Sequence, residues 1–222
     1  MKRDTMLHLV RFLMRTLTRS EFIGLENLPA SGGVIVAINH MSHLDTPLLG
    51  VNPRRSDITA LVTTKYQKHA SIKWVINTIE GIWIDRDIAD FSAIRKAAKA
   101  LQSGLALGIA PEGTRSKDYQ MHQGKPGIVL LALKTGVPIV PVGISGTEDA
   151  IHKLKRLRRP HMVARFGKAF ILPPIDRKNR KEKVREYIDE IMCRIAALLP
   201  EKYWGYYKNY PRVKNLIMKK PI

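Results

Sequence analysis

One cysteine, Cys193, is all that these 222 residues contain, which excludes an internal disulfide and any cysteine-rich metal framework. It sits in the apolar run Ile191-Met192-Cys193 of an expected helix, the setting of a buried, inert thiol. Absence of disulfide bonding suits a reducing compartment. Acidic residues are also scarce: 19 Asp+Glu stand against 38 Lys+Arg, a formal charge of +19. That imbalance implies polyanionic surroundings, whether nucleic acid, anionic lipid or phosphorylated ligands. Aromatics reach only 7% and are not interleaved with the basic runs, so a base-stacking platform for single strands has little support. Zinc-finger spacing and an RNP-like segment are both missing. No Gly-x-Ser-x-Gly elbow surrounds Ser42, which weakens it as a nucleophile.

Hydrophobic residues make up 45% of the chain, enough for one substantial core at this length. There is no internal repeat and no linker long enough to divide it, so a single domain is expected over 1–222. In the first 20 residues Met6, Leu9, Val10, Leu13, Met14 and Leu17 recur at helical spacing, while Arg11, Arg15 and Arg19 fall on another face. The arginines interrupt the apolar run, which therefore falls short of the roughly 20 uncharged residues of a transmembrane helix. No small-residue cleavage site follows. Two readings stand: an interfacial helix with arginines at the headgroups, or a helix packed on its own domain with solvated arginines.

Downstream, apolar strands are expected at Val34–Ile38, Ile58–Val62, Gly81–Ile84, Leu105–Ala110, Val137–Val142 and Met162–Phe166. Helices are expected near 71–78, 91–101, 127–134 and 181–199, with Pro47 in the first turn of another capped by Asp45 or Thr46. Alternation of this kind indicates an α/β layered domain, and continuously apolar strands indicate a sheet covered on both faces. The polar motifs fall just after strand C-termini, where open α/β sheets place their binding crevice.

The first motif is Asn39-His40-Met41-Ser42-His43-Leu44-Asp45. An imidazole can accept a proton at neutral pH, and a carboxylate on Nδ1 fixes its tautomer and leaves Nε2 as base. The competing reading is a satisfied core histidine beside a helix cap. His40, His43 and Asp45 could also face one metal ion, but no ligand-rich cluster follows. The second motif is Glu112-Gly113-Thr114-Arg115-Ser116. Gly113 permits close backbone approach, Thr114 and Ser116 offer hydroxyls, and Arg115 can grip a phosphate bidentately. Arg86 and Lys65, each after a different strand, could clamp the same anion.

These motifs resemble the glycerolipid acyltransferase family, particularly its bacterial 1-acyl-glycerol-3-phosphate acyltransferases. The His-x4-Asp motif is matched by His40 and Asp45, the apolar run into arginine by Gly81–Arg86, the third motif by Glu112–Ser116, and the proline-bearing strand by Val137–Pro141. The resemblance runs from about residue 24 to 199, with 1–20 as the amphipathic helix and 200–222 as a basic aromatic tail. It implies a layered fold with a central mixed β-sheet flanked by helices. It also implies acyl transfer from acyl-CoA or acyl carrier protein, with no cofactor, to the hydroxyl of a lysophospholipid. His40 and Asp45 are then catalytic. Lys65, Arg86, Glu112, Gly113, Thr114 and Arg115 bind substrate, with Glu112 on a glycerol hydroxyl or orienting Arg115, and Pro138 shapes the cleft. An anionic membrane is the expected partner, nucleic acid is not, and peripheral or monotopic attachment to the cytoplasmic face is the expected location. Lys65 lacks the acidic residue and leucine that follow the family's lysine, and Val51–Asp57 and Lys117–Lys125 are unusually polar. Specificity is expected to differ at these places. A basic nucleic-acid-binding protein, and a metal-dependent hydrolase using the His/Asp cluster, are the rival readings.

Overall fold

A computed structural model of the chain describes residues 3–85, 88 and 90–218, the side chains of Arg3 and Arg177 excepted. In chain order its elements are α1 (Arg3–Leu17), β1 (Arg19–Ile23), β2 (Val34–Ile38), α2 (Asp45–Gly50), β3 (Ile58–Thr63), α3 (Ala70–Thr78), β4 (Ile82–Ile84) and α4 (Phe91–Gln102). They continue with β5 (Ala106–Ile109), α5 (Gly127–Thr135), β6 (Ile139–Ser145), α6 (Ala150–Lys155), β7 (His161–Phe166), α7 (Arg180–Ala196) and α8 (Pro211–Met218). The strands form one seven-stranded sheet in the order β1-β7-β6-β2-β5-β3-β4. Every neighbouring pair is parallel except β6 and β7, which makes the sheet mixed.

The central strands β2, β5 and β6 are buried along their whole length, as continuously apolar strands require. Along β2 the side chains alternate between two cores. Ile35 and Ala37 join α4, α5 and α7 on one face, while Val34, Val36 and Ile38 join Met14 of α1 and Leu48 and Leu49 of α2 on the other. Each fully buried Ile or Val contributes about 1.5–3 kcal/mol of burial energy. Helix α4 lies close to the sheet because its inner face is small (Ala93, Ala97 and Ala98, with Leu101). It starts at Asp90, whose side chain accepts the Ala93 N–H at 2.9 Å and is held below its usual pKa chiefly by that bond.

Some expectations change. Arg19–Ile23 is an edge strand, with alternating exposure, so Arg19 does not continue the arginine face of the N-terminal helix, which ends at Leu17. That helix packs on its own domain and leaves part of its apolar surface facing outward. Met6 and Met14 are buried, whereas Leu9, Phe12, Leu13 and Leu17 are exposed, because its apolar residues cover more of its circumference than one packing face uses. The polar stretch 51–57 lies at the opposite end of the sheet from the strand C-termini. Arg55, 3% exposed, donates there to Asp57 and to the carbonyls of Gly32 and Gly104, all within 2.8 Å. It ties loops together at that end.

Candidate active site at the strand C-termini

The C-terminal end of β2 delivers Asn39 and His40. Asn39 is buried and bridges to β6, accepting the Ile144 N–H at 2.7 Å and donating to the Ile144 carbonyl at 2.9 Å. These bonds set the direction in which the chain leaves the strand. His40 then turns its Nδ1 to Asp45 Oδ2 at 2.8 Å. The same oxygen accepts the N–H groups of Met41 at 2.7 Å and Ser42 at 2.8 Å, and Oδ1 accepts the Thr147 hydroxyl at 2.5 Å. Asp45 is therefore the first residue of α2 and not its cap; it folds the preceding turn around itself. Its side chain is fully buried, while that of His40 is 17% exposed. With Nδ1–H given to a carboxylate, Nε2 is the acceptor nitrogen. Asp45 Oδ2 thus meets three nitrogens, and Oδ1 one hydroxyl. Among the described residues no group of three His, Cys, Asp or Glu could hold a metal.

Thr147 lies outside both sequence motifs, 102 positions from Asp45. It follows β6 in a turn where Gly146 has φ +81°, and a Cβ on Gly146 would lie 2.1 Å from the His161 carbonyl oxygen. Only glycine makes that turn, which carries the threonine beneath Asp45.

The loop after β5 brings the second motif beside the first. The Ser116 N–H donates to the His40 carbonyl at 2.8 Å, and Glu112 accepts the N–H groups of His40 at 3.4 Å and His122 at 2.8 Å. Glu112 is buried, and burial lifts its carboxyl from the ordinary 4.5 to about 7 against the pull of those two N–H groups. Glu112 thus joins two loops and does not orient Arg115, whose Nη2 donates to the Tyr66 hydroxyl at 3.3 Å. Gly113 has φ +74°, and a Cβ there would press on the Lys125 side chain. Thr114, Arg115, Lys117, Asp118 and His122 line a depression of about 320 Å³. Asp118 accepts from the Ser116 hydroxyl at 2.6 Å and faces His122 Nε2 at 2.9 Å, contacts that hold its carboxyl down at about 2, the hydroxyl first.

His43 is exposed beside the Tyr66 ring, with centroids 6.1 Å apart. Its pKa lies below the ordinary 6.5, first through partial burial, then through the positive charges of Arg115 and His40, with Asp45 opposing. Cation-bearing Arg115 and the His40–Asp45 pair therefore share one end of the sheet, and Lys65 follows β3 at that same end. Arg86 lies outside the described residues. Pro138 is at the other end: it precedes β6, and its carbonyl accepts the N–H of Ile35 near the start of β2 at 3.0 Å. Parallel pairing of β2 with β6 carries it away from His40, so it does not shape this cleft. Cys193 is fully buried, and burial pushes its thiol up to about 12.

At the strand C-termini a buried carboxylate thus orients a histidine, with an arginine-bearing loop beside it. The chain belongs to the Acyltransferase family, whose model matches residues 19–145. Its relatives include the 1-acyl-sn-glycerol-3-phosphate acyltransferase of Borreliella burgdorferi, 30% identical over 128 residues, covering 57% of this chain and 51% of that protein. The 1-acyl-sn-glycerol-3-phosphate acyltransferase of Bacillus subtilis is 30% identical over 132 residues, covering 59% of this chain and 65% of that one. The chain thus spans about half the length of the first relative and under two thirds of the second. The crystal structure of the 1-acyl-sn-glycerophosphate (LPA) acyltransferase PlsC from Thermotoga maritima superposes with a TM-score of 0.66. It covers 85% of this chain and 77% of that one at 26% identity.

Proposed function

We propose that this chain transfers an acyl group from a thioester, acyl-CoA or an acyl carrier protein, to the free hydroxyl of a lysophospholipid. The acceptor proposed is 1-acyl-glycerol-3-phosphate and the product phosphatidic acid. The observation that carries the reading is the His40–Asp45 pair, joined at 2.8 Å with its carboxylate wholly buried. Membership of the family and the names of its relatives support the same chemistry.

His40 Nε2 removes the acceptor hydroxyl proton as the oxygen attacks the thioester carbonyl carbon. Asp45 steadies the imidazolium that forms. The tetrahedral intermediate collapses, the carbon–sulfur bond breaks, and the thiolate leaves, taking the proton back from His40 as free thiol. A thiolate is a good enough leaving group that no covalent enzyme intermediate is needed. Arg115, with Thr114 at the 320 Å³ depression, holds the acceptor phosphate, and Arg86 and Lys65 are proposed to assist. The exposed apolar residues of α1, with the exposed Arg15, set this site at an anionic membrane, on the cytoplasmic face. Among the described residues no helix is long and apolar enough to cross a membrane.

The test is thiol release from acyl-CoA in the presence of lysophosphatidic acid. His40→Ala is expected to abolish it with folding intact, and retained turnover would remove His40 as the base. Deleting residues 1–18 is expected to weaken sedimentation with anionic vesicles; equal sedimentation would make α1 a packing element only.

A further inference from the structure

Helix α3 is poorly covered by its own protein. Of its residues only Ile76 is buried, while Trp74 is 47% exposed, with Val75 and Ile72 at 38% and 36%. An isolated nine-residue helix is marginal in water, and leaving apolar side chains on its outer surface forgoes the burial that normally holds such a helix. The surrounding charge has one sign: no acidic residue occurs between Asp57 and Glu80, a stretch that contains Lys65, Lys68 and Lys73.

The position of α3 gives that surface a direction. On β4, Ile82 and Ile84 face the core beneath α4, α5 and α7, so Trp83 between them faces the opposite side. Trp83 donates its indole N–H to Asn77 of α3 at 3.1 Å. Helix α3 therefore lies on the same sheet face as α1 and α2, as a right-handed β3-α3-β4 crossover demands. The turn leading into it carries Tyr66, the hydroxyl partner of Arg115. An apolar and basic surface thus adjoins the site and shares a face with the exposed residues of α1.

We infer that α3 is a second lipid-docking element, which seats Trp74 and Val75 in an anionic bilayer with Lys68 and Lys73 at its headgroups. The inference rests on the proposal that the enzyme works at an anionic membrane through α1, and extends it to a helix beside the site. Tryptophan belongs at such an interface because its ring is apolar at one end and hydrogen-bonds at the other. Lysine stems lie along apolar surface while their ammonium groups reach phosphate. With contacts from both α1 and α3, the acceptor passes from bilayer to Arg115 without crossing water.

The experiment uses the full chain and vesicles of phosphatidylglycerol and phosphatidylcholine in equal parts, with brominated acyl chains as quenchers. Vesicles are expected to quench tryptophan emission in the wild type, and Trp74→Phe is expected to remove most of that quenching. Lysine near an anionic surface is worth about fivefold in binding, so Lys68→Gln with Lys73→Gln is expected to weaken partitioning about 25-fold. Both variants should still transfer acyl groups to a water-soluble, short-chain lysophosphatidic acid, which shows that the fold and the chemistry survive. Quenching that persists in Trp74→Phe, or partitioning within about twofold of wild type in the lysine variant, overturns the inference. Phe12→Ser with Leu13→Ser is measured alongside. If only that α1 variant loses binding, the α3 element falls and α1 remains as the anchor. If neither variant loses it, both fall. Absence of acyl transfer by the wild type would count against the proposed reaction and not against docking.

Discussion

Replacing Asp45 separates its charge from its hydrogen bonds. In Asp45→Asn the amide oxygen must take the Oδ2 position, because the Met41 and Ser42 N–H groups and the His40 Nδ1–H all point there. The NH2 then faces Thr147, whose hydroxyl turns from donor to acceptor. Geometry and tautomer survive, and the stability loss is expected to be about 1 kcal/mol or less. What disappears is a negative charge beside the imidazolium of the transition state. With charge centres about 4 Å apart and an effective dielectric of about 20, that interaction is worth about 4 kcal/mol, or roughly 1000-fold in kcat. Asp45→Ala differs. It strands two buried backbone N–H groups at roughly 1–3 kcal/mol each, so about 4 kcal/mol of stability goes with the activity, a melting shift on the order of 10 °C for a chain of this size. Thiol release with a chromogenic disulfide reports kcat, and urea unfolding reports stability. An asparagine variant within tenfold of wild-type kcat, or an alanine variant as stable as the asparagine one, refutes the reasoning.

Glu112 makes stability depend on pH. Its folded pKa, about 7, lies above the ordinary 4.5, so its contribution is fully present below about pH 4.5 and is lost as pH rises through 7. The fall is about 3 kcal/mol; urea unfolding near pH 4.5 and near pH 8 should show it in wild type and not in Glu112→Gln. Arg55→Ala is expected to cost about 2–4 kcal/mol by stranding the Gly32 and Gly104 carbonyls, with the acceptor KM unchanged, because Arg55 lies at the far end of the sheet. A shifted KM would place it in the site after all. Arg115→Ala should raise the acceptor KM tenfold or more with little change in stability, and steady-state kinetics against lysophosphatidic acid would detect an unchanged KM, which removes it from the phosphate site.

Much of the fold is legible locally. The runs Val34–Ile38 and Ala106–Ile109 are apolar at every residue, as strands covered on both faces require, and the structure buries each of those positions. Helix α4 is equally legible, since its small-residue face repeats at helical spacing after an Asp cap. Edge strand β1 is not, because its alternation is too short and too polar to stand out from the arginine-bearing helix before it. For Pro138 the family resemblance implies a strand that contributes to the cleft. The proline's position before β6, and the parallel pairing of β6 with β2, send it to the opposite end.

His40, Asp45 and the Glu112–Ser116 loop stand out in the sequence by their spacing at strand ends, and the family resemblance separates a catalytic pair from a helix cap. Tertiary structure decided what those residues touch. Thr147 reaches Asp45 from 102 positions away, Tyr66 holds Arg115 from 49 positions away, and Glu112 fastens the His40 loop to the His122 loop across 72 and 10 positions. Those pairings follow from the strand order β6-β2-β5-β3, which sets four loops side by side at one end of the sheet. Strand order depends on how apolar surface is buried over the whole chain, a quantity that no single segment contains.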